Sequence, residues 1–87
     1  MSDSKEIIDS LGGGKLVIGS RELRKTAKRG GLKKIFLSSN IPPALLKDFQ
    51  HYSETSSIEL GMFEGDSIKL GQICGKPFKI LAVGIKR

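Results

Sequence analysis

Short apolar runs alternate with amphipathic segments along the whole chain, and this alternation constrains the fold more than any other feature. Four runs have the length and character of strands, and each follows a segment whose apolar residues recur at helical spacing. Glycines and prolines separate the segments. The resulting order, α-β-α-β-α-β-α-β, predicts an α/β protein in which a sheet lies between two helix layers, largely with right-handed crossovers.

The element boundaries follow from this punctuation. Helices are predicted over residues 3–11, 20–29 and 43–54, followed by a short one that contains Ile68, Leu70 and Ile73 and ends at Gly75. Ser20 is expected to cap the second helix, and Asp66 or Ser67 the fourth. Strands are predicted over residues 15–18, 34–37, 58–63 and 78–85. The last run is apolar at nearly every position, which predicts a central strand buried on both faces.

The length and composition indicate one intracellular domain. A chain of 87 residues can form one modest core, so residues 1–87 are expected to be a single domain. No apolar run approaches the roughly 20 residues of a membrane span. The segment 1–10 is polar and acidic, unlike a signal or transit peptide. A single cysteine, Cys74, cannot form an internal disulfide. We therefore expect a cytoplasmic protein.

The positive charge is concentrated in one block. The net charge is +6, yet residues 15–34 alone hold eight basic residues and one acid, Glu22. Such a block commonly marks contact with a polyanion, either nucleic acid or an anionic membrane. The alternative is a solvated helix face. Membrane binding is disfavoured because the block lacks the aromatic and leucine face that an interfacial helix buries.

The residues that could support catalysis are too few to indicate an enzyme. His51 lies within the third predicted helix with no serine or cysteine partner, and Cys74 has the character of a small buried residue. The stretch from Gly12 to Lys15 precedes a strand and lacks the spacing of a phosphate loop, so it is interpreted as a helix stop. We predict no catalysis, no metal site and no cofactor.

The aromatic content disfavours RNA binding by base stacking on an open sheet. The chain has four Phe, one Tyr and no Trp, at spacings that suit a core. Loops at one end of the sandwich are the better candidate for contact. Two loops open a helix directly after a strand, where backbone N–H groups can receive a phosphate, and a third links the last helix to the last strand. These loops are residues 19–22, 40–42 and 74–78.

Six segments, in this order and spacing, carry a resemblance to a known family. They are residues 19–25 (GSRELRK), 27–34 (AKRGGLKK), 39–42 (SNIP), Tyr52, 63–71 (FEGDSIKLG) and 75–77 (GKP). Together they resemble the seven-Ae and thirty-e family of kink-turn-binding ribosomal proteins, in particular its archaeal and eukaryotic thirty-e branch. The resemblance covers nearly the whole chain, from about Ile7 to Ile85. Arg21 stands where the seven-Ae branch has asparagine, and a basic residue there is more similar to the thirty-e branch.

The resemblance implies a three-layer α/β/α sandwich with a central four-stranded mixed sheet. It also implies recognition of a kink-turn, a sharply bent RNA internal loop with sheared G·A pairs, in rRNA of the large ribosomal subunit. The expected protein is a free monomer that becomes ribosome-associated in the cytoplasm. The residues implied to contact the G·A pairs and the adjacent backbone are Gly19, Ser20, Arg21, Glu22 and Lys25. The implied second contact loop consists of Asn40, Ile41 and Pro42, and the loop implied to touch an extruded nucleotide consists of Gly75, Lys76, Pro77 and Phe78. Alternatives are a subunit of another ribonucleoprotein or a protein-interaction module on the same scaffold.

Two finer expectations concern the basic block and the first loop. Arg21 and Lys25 lie near the helix start and are expected to matter for recognition. The block's other end, residues 28, 29, 33 and 34, is expected either to be solvated or to face neighbouring rRNA. A side chain at Gly19 is expected to hinder the RNA without disturbing the core. The alternative is that Gly19 only supports the turn.

Overall fold

The computed structural model describes residues 2–87 and the side chains from Lys5 onward, so Met1 lies outside the described residues. Its eight elements alternate in the predicted order. They are α1 (Ser2–Gly12), β1 (Leu16–Ile18), α2 (Ser20–Lys28), β2 (Leu32–Leu37), α3 (Pro43–Ser56), β3 (Glu59–Met62), α4 (Ser67–Ile73) and β4 (Ala82–Lys86).

The four strands form one mixed sheet in the order β1-β4-β2-β3. β2 and β3 are parallel, whereas β4 is antiparallel to both of its neighbours, β1 and β2. Consequently β1, β2 and β3 all run the same way, and β4 runs against them between β1 and β2. The predicted mixed four-stranded sheet is confirmed. The central position of the last strand is also confirmed, and four of its five residues are buried.

Side chains on the two faces of the sheet form two separate cores, each covered by two helices. Leu23 of α2 and Phe49 of α3 are fully buried against Ile35 and Leu37 of β2. On the opposite face the core is built by Ile7 of α1, Leu70 and Cys74 at α4, and Phe36 and Val83 of the sheet. The three-layer α/β/α sandwich is therefore confirmed.

Gly84 allows α2 to lie close to the sheet. It is in the middle of β4, and a Cβ built there would clash with the Leu23 side chain and lie 2.9 Å from a Leu32 methyl group. Because interiors are close-packed, a methyl group has no room at this position. The position of α2, which begins at the end of β1, thus depends on this glycine.

The prediction of a strand over residues 78–85 is wrong for its first half. β4 begins at Ala82, which pairs with Leu37, the last residue of β2. Residues before Ala82 have no strand to pair with, and Ile80 N–H instead donates to Ser67 O at 3.0 Å. The segment therefore folds across the start of α4. Phe78, expected in a buried strand, is 56% exposed.

Several smaller predictions also need correction. Ser20 is the first helical residue of α2; Gly19 is the N-cap and no side chain caps the helix. Ile68, one of the three apolar residues named in the fourth predicted helix, is 49% exposed. The other shifts are of one or two residues: α1 spans 2–12, β1 begins at 16, α2 ends at 28, β2 begins at 32, α3 ends at 56, β3 spans 59–62, α4 ends at 73 and β4 ends at 86. By contrast, Asp66 caps α4 as expected, because its Oδ1 accepts from Lys69 N at 2.9 Å.

Candidate nucleic-acid interface

All three predicted contact loops lie at one edge of the sheet. β1 and β2 end at this edge with Ile18 and Leu37, and β4 begins there, because Ile18 pairs with Val83 and Leu37 with Ala82. The antiparallel β4 thus brings the segment 75–81 to the edge where the loops after β1 and β2 emerge. The end of β3 reaches the same edge, since Met62 pairs with Leu37. We call these four segments, residues 19–22, 38–42, 63–66 and 75–81, the loop edge.

Backbone hydrogen bonds join three of the four segments of the loop edge, residues 38–42, 63–66 and 75–81, to one another. Ser38 N–H donates to Leu81 O at 2.8 Å, and Ser39 N–H donates to Gly65 O at 2.9 Å. The segment after β2 is therefore tied on one side to the segment before β4 and on the other to the turn after β3. A surface made of loops is rigid when its backbone groups are paired in this way.

The side chain of Asn40 is used within the protein. Its Oδ1 accepts from Ser67 N–H at 2.9 Å, and its Nδ2 donates to Ser67 Oγ at 3.1 Å. Ser67 is 1% exposed and opens α4, so Asn40 fastens the second loop to the start of that helix. The position of Asn40 at the loop edge agrees with the sequence, while its contact with RNA stays a prediction. Ile41 and Pro42, the next two residues, lead into α3.

The first loop exposes the unsatisfied backbone donors of α2. Leu23 N–H makes the first bond of the helix, to Gly19 O at 3.0 Å, and no side chain caps the N–H groups before it. Gly19 has φ 97° and ψ 141°, a conformation that favours glycine. A Cβ at Gly19 would meet no atom within 4 Å, so it would point into open space. These donors, with the helix dipole behind them, can receive a phosphate or a base edge.

Of the charged side chains near the start of α2, some face solvent and one is paired with α3. Arg21 is exposed, and the ammonium of Lys25 lies 4.0 Å from the Glu22 carboxylate with both side chains more than half exposed. Arg24 instead points to α3, where its guanidinium donates to Asp48 at 2.9 Å. Arg21 and Lys25 are thus the basic side chains of α2 that face solvent near the loop edge.

The segment before β4 forms a concave, partly apolar surface. Phe78 and Ile68 are both about half exposed, and they line an open cavity of about 360 Å³. The other lining residues are Gln72, Lys76, Pro77 and Lys79. A Cβ at Gly71 would clash with the Phe78 carbonyl oxygen, so this glycine lets the segment lie against α4. Apolar walls next to two lysines suit an aromatic base attached to a phosphate.

Sequence reasoning missed part of this surface. Ile68, Gln72 and Lys79 were not among the predicted contact residues, and neither were residues 63–66 after β3. Ile68 follows the apolar spacing of α4 and gives no local sign that it faces solvent. The sequence signal that could have revealed this surface is Gly71, because a glycine within a helix can indicate the close approach of another backbone segment.

The two residues considered for catalysis lie on different helices, His51 in α3 and Cys74 at the end of α4. Among the described residues, no three His, Cys, Asp or Glu side chains gather as metal ligands. Burial raises the pKa of the Cys74 thiol, which keeps it protonated and unreactive. His51 is exposed on α3, and the centroid of its ring lies 6.3 Å from that of Tyr52. Within residues 2–87, no helix has the length and apolar character needed to cross a membrane.

The chain matches one family model over almost its entire length. Residues 4–87 fit the model of the "Ribosomal protein L7Ae/L30e/S12e/Gadd45 family". "Large ribosomal subunit protein eL30" of Methanothermobacter thermautotrophicus is 37% identical over 73 residues, which cover 84% of this chain and 74% of that protein. The protein of the same name from Methanocaldococcus jannaschii is 35% identical over 83 residues, covering 95% and 76% of the two chains.

Two solved structures share the fold at low sequence identity. The "Giardia lamblia 15.5kD RNA binding protein" has a TM-score of 0.82 at 15% identity, covering 93% of this chain and 68% of that one. A Bacillus halodurans protein of unknown function has a TM-score of 0.81 at 20% identity, covering 90% and 77%. At such identities the likeness establishes the three-layer fold.

Proposed function

The chain belongs to the ribosomal protein L7Ae/L30e/S12e/Gadd45 family, and we propose that it binds rRNA in the large ribosomal subunit, recognising a kink-turn through its loop edge. Its relatives named as large-subunit proteins support the ribosomal role. On this proposal the protein is a monomer when free and a cytoplasmic, ribosome-associated component after assembly, and it acts without a cofactor.

The proposal rests on one observation: three chemically different surfaces lie together at the loop edge. The uncapped start of α2 offers backbone donors, and Gly19 leaves room for close approach. Arg21 and Lys25 offer charge beside those donors, while Phe78 offers an exposed ring. Backbone and phosphate contacts position an RNA, and base-edge and stacking contacts distinguish its shape.

Each surface has a role in the proposed complex. The N–H groups at Ser20, Arg21 and Glu22 bind the bent backbone and the edges of the G·A pairs, with the Glu22 carboxylate available to accept from guanine amino groups. The loop of Asn40, Ile41 and Pro42 contacts the flanking strand.

The segment Gly75, Lys76, Pro77 and Phe78 receives the extruded nucleotide in the cavity beside α4. Its base would stack on the Phe78 ring, and Lys76 would lie near its phosphate.

A gel-shift comparison tests the proposal. A kink-turn duplex and a plain duplex of equal length are titrated with the protein at the same salt concentration. The salt must be matched because contacts to phosphates make RNA affinity depend on salt concentration. The proposal requires markedly tighter binding of the kink-turn. Equal affinity for the two RNAs would reduce the function to nonspecific polyanion binding.

A further inference from the structure

A second basic surface lies at the sheet edge opposite the loop edge. An open groove of about 580 Å³ is lined there by four lysines, namely Lys5, Lys15, Lys33 and Lys86. They come from α1, from the residue before β1, and from β2 and β4. We call this surface the far groove. It draws together lysines that are up to 81 positions apart in the sequence.

The far-groove lysines have charges that the protein does not neutralise. Lys15, Lys33 and Lys86 are exposed and make no ion pair with any described residue. Of the two described carboxylate side chains that line the groove, Glu6 lies 3.6 Å from the ammonium of Lys34. The remaining acid, Asp9, is outnumbered by the lysines. The described residues that line the groove therefore carry a net positive charge, which an external anion can balance.

The frame that holds these lysines is ordered by hydrogen bonds. Lys86 N–H donates to Lys15 O at 2.8 Å, which fixes the start of β1 against the end of β4. Arg87 also lines the groove, but its Nε donates to Leu32 O at 3.0 Å and its Nη2 to Ser56 O at 3.5 Å. Arg87 therefore acts as a support, and the lysines are the groups free to bind.

The two basic surfaces lie at opposite ends of the strands. β2 has six residues and separates them, a length of about 20 Å at roughly 3.3 Å per residue. Lys33 lies at its amino end, whereas the second contact loop follows its carboxyl end. An RNA bent around the loop edge would reach the far groove only by passing along a strand, over about 13 Å from Gly19 to Lys15 along β1 or about 20 Å along β2.

We propose that the far groove binds the phosphate backbone of a second RNA segment, so that the protein joins two RNA segments on opposite edges of its sheet. Lysine ammonium groups are compact point charges that suit phosphates irrespective of base sequence. Among the described residues that line the groove, Ile85 is the one large apolar side chain. The groove therefore lacks the set of apolar side chains that a protein surface inserts into a lipid bilayer. The inference goes beyond kink-turn recognition and needs only that another RNA occupies the loop edge.

The test measures capture of a second RNA. Kink-turn RNA is immobilised and saturated with protein, and a labelled plain duplex is added at several salt concentrations. The complex should retain the duplex. The triple variant K15E/K33E/K86E should lower duplex affinity by more than about tenfold and the salt slope by about 2–3, since each lost phosphate contact removes roughly 0.9. Its affinity for the kink-turn should fall by much less than its affinity for the duplex.

A matched pair of single variants controls for net charge. Lys33→Glu and Lys47→Glu alter the charge equally at exposed positions, but Lys47 lies on α3 outside the groove. Only Lys33→Glu should weaken duplex capture. Failure of the complex to retain the duplex, or equal losses in the two variants, would overturn the inference. So would binding of the complex to phosphatidylserine vesicles without duplex capture.

The outcome is separable from that of the proposed function. If the protein shows no preference for the kink-turn, any RNA that saturates it can be immobilised instead. The comparison of Lys33→Glu with Lys47→Glu then still reports on the far groove alone.

Discussion

The side-chain amide of Asn40 makes both of its hydrogen bonds to Ser67, one to the backbone N–H at 2.9 Å and one to the hydroxyl at 3.1 Å. These bonds connect the loop after β2 to the first residue of α4, across 27 positions of sequence. A residue expected to contact RNA therefore has a second, structural role at the loop edge.

Replacement of Asn40 separates these two roles. Asn40→Ala leaves the buried Ser67 N–H without its acceptor, which costs about 1–3 kcal/mol of unfolding free energy. Asn40→Asp keeps the acceptor, and the Ser67 hydroxyl can donate to the new carboxylate, so stability should stay near that of the wild type. The added negative charge should nevertheless weaken RNA binding. Denaturant unfolding and RNA titration measure both quantities; an Asn40→Ala protein of unchanged stability would contradict this layout.

Gly19 should affect both stability and binding. Its φ of 97° means that any side chain strains the backbone, at about 1–3 kcal/mol, although a Cβ there meets no atom of the core within 4 Å. Gly30 is a suitable control, because it also has positive φ and open space around its Cβ but lies at the opposite end of α2. Gly19→Ala and Gly30→Ala should both lower the melting temperature.

Only the Gly19→Ala protein should also lose affinity for a kink-turn, measured on the fraction that is folded. Normal binding by that fraction would mean that Gly19 supports the turn and nothing else.

Phe78 should contribute to affinity and not to stability. Its ring is 56% exposed beside α4, so Phe78→Ala removes little buried surface. Loss of a stacked base should reduce kink-turn affinity by about 1–3 kcal/mol. Phe78→Tyr keeps a ring and should bind nearly as well as the wild type. Comparable losses in the two variants would argue against stacking at this position.

Gly84 should be needed for the position of α2. Gly84→Ala introduces a methyl group against Leu23 and Leu32, and overpacking of this kind costs about 1–3 kcal/mol. Gly12→Ala serves as the control, since a Cβ there meets no atom within 4 Å and lies at the end of α1. It should leave the unfolding free energy unchanged or slightly raised. Equal melting temperatures for the two variants would contradict the close approach of α2 to the sheet.

The sequence predicted the fold well because its signals are local. Apolar period, glycine stops and the Asp66 cap each act within a few residues, and they located all eight elements. What they could not predict depends on partners distant in sequence. β4 begins at Ala82 because β2 ends at Leu37, and nothing in residues 78–81 reports where β2 ends.

The candidate site shows the same division. The loops after β1 and β2 were predicted at one edge from the run of strands alone. The participation of residues 63–66 in the loop edge and the exposure of Ile68 depend on how α4 packs, which no local sequence pattern encodes. The lysines of the far groove are likewise brought together only by the antiparallel insertion of β4.

The central claim, that RNA binds at the loop edge, is tested most directly by mapping backbone amide chemical shifts on addition of equimolar kink-turn RNA. The largest changes should fall on the start of α2 at Ser20 and Arg21, and on the segment from Gly75 to Phe78. Lys33 and Lys86 should shift only when a second RNA is added. Chemical-shift changes that, at an equimolar amount of kink-turn RNA, centre on Lys33 and Lys86 and leave the amides of Ser20 and Arg21 unchanged would contradict the account.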